Sequence, residues 1–95
     1  MIIHDKIRQD KLEKYIKLTE EALKKARKNI AKTKEEQAGK ILEMVEAYLS
    51  DSKYFKARGE YVNSFACINY AHGWLDSGAR LGIFKVKDTR LFIVK

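Results

Sequence analysis

The sequence contains no proline, a single cysteine and only five glycines in 95 residues. Without proline, no position removes a backbone donor from a helix interior, so long uninterrupted helices are open to the chain. The one thiol, Cys67, has no partner for an internal disulfide, which fits a reducing cytosol and leaves burial to hold the fold. Long apolar runs are missing as well. The longest span a few residues, such as Leu91-Phe92-Ile93-Val94, against the roughly 20 that cross a bilayer, so no membrane partner is expected. Met1 to Asp10 lacks the apolar stretch of a secretory signal. No CxxC and no HxxxH occurs, and Gly73 to Arg80 has the outer glycines of a phosphate loop without its Lys-Ser/Thr ending. Neither a metal nor a cofactor is expected.

What is present is a chain that is 45% hydrophobic, 11% aromatic and 35% charged. That is too apolar for disorder and too short for two independent cores, so residues 1–95 read as one domain. The net charge of +7 is unevenly placed: residues 1–36 hold 11 basic and 7 acidic side chains, 37–82 hold 5 and 5, and 83–95 hold 4 and 1. Such a surface can attract nucleic acid or an acidic partner. It also has a structural reading, which we favour. Asp10–Lys14, Glu13–Lys17, Glu20–Lys24 and Glu21–Lys25 are acid-first pairs at i,i+4, and basic residues near a helix C-terminus complement its dipole.

Apolar periodicity predicts three helices, over about residues 5–29, 33–58 and 60–81. In the first, Leu12, Ile16, Thr19, Leu23 and Ala26 draw one stripe, with Asp5 able to cap its start and Asn29 its exit. Thr33-Lys34-Glu35-Glu36 has the spacing of a capping box. Ala38, Ile41, Val45, Leu49 and Ser52 follow as the second stripe, with Ser50-Asp51-Ser52 a place where the helix could bend. Gly59 and Gly82 suit left-handed C-terminal stops. The third helix is apolar around most of its girth: Phe65, Ile68, Leu75 and Ala79 share one face, Ser64, Cys67, Ala71 and Gly78 adjoin it, and Tyr70, Trp74 and Leu81 come next. Such a helix needs cover on more than one side. The expectation is an all-α, up-down-up antiparallel three-helix bundle with the third helix as the element on which the others lean. The tail, 83–95, alternates apolar and polar residues and reads as extended or hairpin-like, docked on the bundle or on another chain.

From Tyr54 onward the residues resemble a known family. Tyr54-Phe55, Gly59-Glu60-Tyr61, Tyr70-Ala71-His72-Gly73-Trp74-Leu75-Asp76-Ser77-Gly78 and Arg80-Leu81-Gly82 are similar to an uncharacterised archaeal family catalogued as domain of unknown function 357, from about Leu12 to Phe84. The resemblance implies an archaeal, cytoplasmic three-helix bundle without an assigned activity. One departure is Glu60, where the family pattern more often has Asp, the better N-cap.

Asn69, His72, Asp76 and Arg80 are three and four residues apart and stack on successive turns. In a functional reading, Asp76 orients His72 for proton transfer and Arg80 holds a phosphate or carboxylate. In a structural reading, Asp76–Arg80 is a helix ion pair and His72 a satisfied ring. The set lacks a nucleophile, so no catalytic residue is assigned. The aromatics Tyr48, Tyr54, Tyr61 and Tyr70 read as core, with Trp74 the exception that lines a groove or anchors a dimer contact.

These features predict a non-catalytic interaction module, a homodimer associating through its third helix and tail. The first alternative is an RNA-binding accessory domain using Lys24, Lys25, Arg27, Lys28 and Lys32 with Lys85 and Lys87. The second is a small-ligand or nucleotide site on His72, Asp76 and Arg80.

Overall fold

A computed structural model describes residues 8–93, with helices α1 (Gln9–Arg27), α2 (Glu35–Ala57) and α3 (Tyr61–Arg80) in a body of 48 × 26 × 18 Å. Each helix buries the stripe its spacing sets out: Leu12, Ile16, Thr19, Leu23 and Ala26 on α1; Ala38, Ile41, Val45, Leu49 and Ser52 on α2; Ser64, Ile68, Ala71, Leu75, Gly78 and Ala79 on α3. Helix α3 packs most extensively on α2 and also on α1, while α1 and α2 touch least, so the third helix is the shared support. Small residues explain the close α2–α3 approach. Ser52 and Ser64 are fully buried and clasp each other: Ser52 Oγ donates to the Ser64 carbonyl at 2.8 Å, and Ser64 Oγ donates to the Ser52 carbonyl at 2.6 Å. The helix continues without a break through Ser50-Asp51-Ser52, and the Ser52 hydroxyl, a competitor for its own backbone, is committed to the neighbouring helix.

Both glycine stops form as the spacing predicts. Gly59 (φ +78°) ends α2, with Gly59 N–H on the Lys56 carbonyl at 3.0 Å and Glu60 N–H on that of Phe55 at 2.9 Å. Gly82 (φ +74°) repeats the pattern after α3, with Gly82 N–H on Ala79 at 3.2 Å and Ile83 N–H on Gly78 at 2.9 Å. These are Schellman closures.

The helix starts differ from expectation. The capping box at Thr33 does not form. Residues 31–34 make a tight turn, with Lys34 N–H on the Ala31 carbonyl at 3.1 Å, and Thr33 takes φ +71°, far from the extended backbone an N-cap requires. Glu35, rather than Glu36, turns back to accept the Thr33 N–H at 3.3 Å. Glu60 makes no side-chain cap on α3; its carboxylate accepts from Arg58 at 2.8 Å instead. The Asp5 cap lies outside the described residues.

Among its described residues, the tail forms no hairpin. Phe84 forms an antiparallel bridge with Ile30 in the α1–α2 connection, with Ala31 N–H on the Ile83 carbonyl at 2.9 Å and Lys85 N–H on that of Asn29 at 2.7 Å. The chain then crosses toward α1 and α3 and buries Leu91 and Phe92. Apolar side chains at 83, 84, 91 and 92 find more cover against the bundle than two short strands could give each other.

Candidate functional site

Three surfaces carry the residues singled out from the sequence. The first is the α3 side that faces the tail. Asp88 opens a turn: its Oδ1 accepts the Arg90 N–H at 3.0 Å, and its carbonyl accepts from Leu91 at 3.1 Å and Phe92 at 2.9 Å. That turn aims Leu91 and Phe92 into the core and presents their backbone to α3. His72 Nε2–H donates to the Leu91 carbonyl at 2.6 Å; because a carbonyl only accepts, Nε2 carries the proton. The other ring nitrogen, Nδ1, hydrogen-bonds the buried hydroxyl of Thr19 on α1 at 2.9 Å. One turn on, Asp76 Oδ1 accepts the Ile93 N–H at 3.0 Å, and lies 3.8 Å from His72 Nε2. From α1, Lys25 pairs with Asp88 at 3.1 Å and Glu21 with Arg90. The Lys25 hydrogen bond is the main cause holding the Asp88 carboxyl below its ordinary value; burial opposes it, and the Arg90 N–H adds to it. Glu21, by hydrogen bond and then by charge, raises the already high Arg90 value.

The structure thus brings His72 and Asp76 together, as helical spacing implies, but around the chain's own tail. Nε2 and one Asp76 oxygen hold the tail's backbone, and Nδ1 is taken by Thr19 on α1. Arg80 points elsewhere: it is exposed, and no Asp76–Arg80 ion pair occurs among the described residues. A cleft of about 300 Å³ remains beside His72, lined by Thr19, Asn69, His72, Asp76 and Arg90 among others.

The second surface is the outward face of α3. Asn69, Tyr70, Gly73, Trp74 and Ser77 line an open groove of about 440 Å³. Tyr70 is 63% and Trp74 37% exposed, and the Tyr70 ring stacks on Tyr48 with centroids 5.1 Å apart. Trp74 lines this groove together with Tyr70, and Tyr70 and Tyr54, expected in the core, stand on the surface. Tyr54 lies under the Arg58 guanidinium at 5.3 Å. Cys67, half-buried, has its thiol pushed up by burial and then by Asp51, away from the thiolate form.

The third surface is basic. None of the four acid-first pairs predicted along α1 forms among the described residues. Glu13 pairs with Lys56 at 3.2 Å and Glu20 with Lys53 at 2.7 Å, both on α2; Asp10 turns back to Arg8 at 2.7 Å; Glu21 and Lys25 hold the tail. Lys56, ahead of Gln9, draws the Glu13 carboxyl down, and Arg8 does the same to Asp10. Arg27 pairs with Glu46. Of the seven basic candidates, Lys25 and Arg27 are thus paired. Lys24, Lys28, Lys32, Lys85 and Lys87 are exposed, with no carboxylate in ion-pair distance among the described residues.

Sequence reasoning missed the Thr19–His72 contact, the serine clasp and the plug formed by Leu91 and Phe92. A signal was present for each. Thr19 and Ser52 are the only polar members of their apolar stripes, and an apolar pair in a charged tail calls for cover. No group of three or more metal-ligating side chains occurs among the described residues, and no described helix is long and apolar enough to cross a membrane.

No curated protein and no solved structure matches the chain. Residues 14–84 match a protein family described as "Protein of unknown function (DUF357)". That stretch covers α2, α3 and α1 from Lys14 onward, and ends at the Phe84 bridge. With the greater part of its length inside the family's bounds, the chain belongs to the DUF357 family.

Proposed function

We propose that this domain is a non-catalytic, cytoplasmic interaction module of an archaeal cell, and that it pairs with a second copy through the outward face of α3. One observation carries the reading: in a chain that is 35% charged, that face has no ionised side chain from Val62 through Ala66, Tyr70, Gly73 and Trp74 to Ser77. Exposed tyrosine and tryptophan at a helix surface are the anchors that protein interfaces use most. Gly73 adds support. A mid-helix glycine costs about 1 kcal/mol relative to alanine, yet a Cβ there would meet nothing within 4 Å in this chain, so no internal packing requires it. A close neighbour on that side does. The face is self-complementary about Gly73, since an antiparallel copy sets each Trp74 against the notch at Gly73 of the other. Two chains of net charge +7 also need an uncharged contact to approach. The tail, occupied on its own bundle, takes no part in this contact.

Sedimentation equilibrium tests the reading. The expected result is a concentration-dependent dimer that Tyr70→Glu with Trp74→Glu converts to a folded monomer. A wild-type chain that stays monomeric at the highest soluble concentration refutes it.

A further inference from the structure

On a surface separate from that α3 face, we propose that the end of the bundle where α1, the α1–α2 connection and the tail converge binds the phosphodiester backbone of a nucleic acid. The fold assembles this site from segments more than fifty residues apart. The Ile30–Phe84 bridge and the Lys85 N–H on the Asn29 carbonyl, at 2.7 Å, set the tail antiparallel to the chain leaving α1. Carried onward, that register lays Lys85 and Lys87 beside the last turn of α1, and the Lys25–Asp88 pair at 3.1 Å holds them there. Lys24 and Lys28 lie one turn apart on the side of α1 opposite its buried stripe, and Lys32 follows in the connection.

Among the described residues these charges have no acidic partner, because the acids that could have neutralised them are used elsewhere. Glu20, four residues before Lys24, is held by Lys53, and Glu21 by Arg90. The intrahelical neutralisation implied by the spacing is therefore absent where Lys24 needs it. Basic side chains repeat at about 6 Å along the helix and about 6.6 Å along the extended tail. Such a ladder fits a polymer with regularly repeated negative charge better than a single small anion. Nothing aromatic interleaves it, so the contact reads backbone rather than base. A lipid surface fits less well, since stable peripheral attachment needs buried apolar area beside the charge, and only Leu81 protrudes at this end among the described large apolar residues.

The test is fluorescence anisotropy with the full chain and a labelled single-stranded RNA, with DNA of the same sequence as a second arm separating the two sources. Five phosphate contacts predict a log–log salt slope of about −3.5 on a single strand, hence roughly a hundredfold loss of affinity between 50 and 200 mM salt. Replacing Lys28, Lys85 and Lys87 with Gln should flatten the slope by about 2. Replacing Lys11, Lys14 and Lys17 with Gln removes the same charge from the first half of α1, away from this end, and should leave the slope close to wild type; circular dichroism checks that both variants fold. The proposal is overturned by equal effects of the two triple variants, by no binding of either oligonucleotide at low salt, or by lysine-dependent binding to phosphatidylglycerol vesicles alone. None of these outcomes bears on dimerisation.

Discussion

Two glycines of α3 lie five residues apart and should respond oppositely to alanine. Helix propensity alone favours both substitutions by about 1 kcal/mol. At Gly78 the propensity term is opposed by a clash: a Cβ there would stand 2.5 Å from Phe84 Cε2 and 2.6 Å from Cδ2, with Ile41 Cδ1 at 3.4 Å. Phe84 cannot swing aside. It is 1% exposed, its N–H bonds the Gly78 carbonyl at 3.3 Å, and its backbone forms the bridge with Ile30. Forcing a methyl against a fixed core ring costs about 1–3 kcal/mol, and Gly78 sits two residues from the helix end, where the propensity gain is smallest. Gly78→Ala should therefore destabilise the domain by about 1–2 kcal/mol, while Gly73→Ala, with open space around its Cβ, should stabilise the monomer by up to about 1 kcal/mol.

For a domain of this size each kcal/mol moves the melting temperature by about 4–8 °C. Thermal melts followed by circular dichroism at low protein concentration should show the two variants shifting in opposite directions. If both rise equally, the ring is not wedged against Gly78 and the placement of the tail is wrong. At high concentration the Gly73→Ala gain should shrink, because the added methyl occupies the notch proposed for a second copy's Trp74.

Ser52→Ala and Ser64→Ala should each cost about 1–2 kcal/mol by urea denaturation, and the double variant less than their sum, because truncating both partners leaves no orphaned hydroxyl. His72→Ala, which removes the donor to the Leu91 carbonyl and the partner of Thr19, should raise hydrogen exchange across residues 88–93 while α2 stays protected. Leu91→Ala should cost about 2–5 kcal/mol if the tail is core. Acid should loosen the tail as well. Since folding depresses the Asp88 value, its contribution is present above the unfolded carboxyl pKa and is lost as pH falls through the folded one. Tail exchange should accelerate on acidification in that window, and Asp88→Asn should remove that pH dependence.

The helices were legible because their signal is local and redundant. Leu12, Ile16, Leu23, Ile41, Val45, Leu49, Ile68 and Leu75 recur at helical steps, and Gly59 and Gly82 punctuate them. What was not legible depends on contacts between segments far apart in the chain. Thr33 has the neighbours of a capping residue, but the tight turn out of α1 needs a left-handed residue at that point, and backbone geometry outranks a side-chain cap. The i,i+4 pairs on α1 were sound as local chemistry and still did not form, because Lys53, Lys56 and Arg90 offer the same carboxylates partners across the interfaces. At an exposed site such choices differ by a few tenths of a kcal/mol, which no spacing rule can resolve.

The same long-range logic bears on where the domain ends. The family match stops at residue 84, yet Leu91 and Phe92 are as buried as any side chain on the helices, and His72 and Asp76, inside the matched region, spend their polar atoms on the backbone of residues 91 and 93. A domain cut at Phe84 would expose two large apolar side chains' worth of groove and leave the part-buried His72 and its partner Thr19 without their third partner. Burying a leucine and a phenylalanine is worth about 1.5–3 kcal/mol each, a large share of what so small a domain can hold in reserve. The tail is therefore part of the folded unit, and its docking is what brings Lys85 and Lys87 beside Lys24, Lys28 and Lys32 at the basic end. Loss of the clasp at His72 should consequently weaken phosphate-backbone binding along with stability, although His72 lies on α3, away from Lys85 and Lys87 at the basic end. Oligonucleotide titration of the His72→Ala chain reads that coupling directly: unchanged affinity in a chain whose tail has come loose would show that the lysines act without the fold that gathers them.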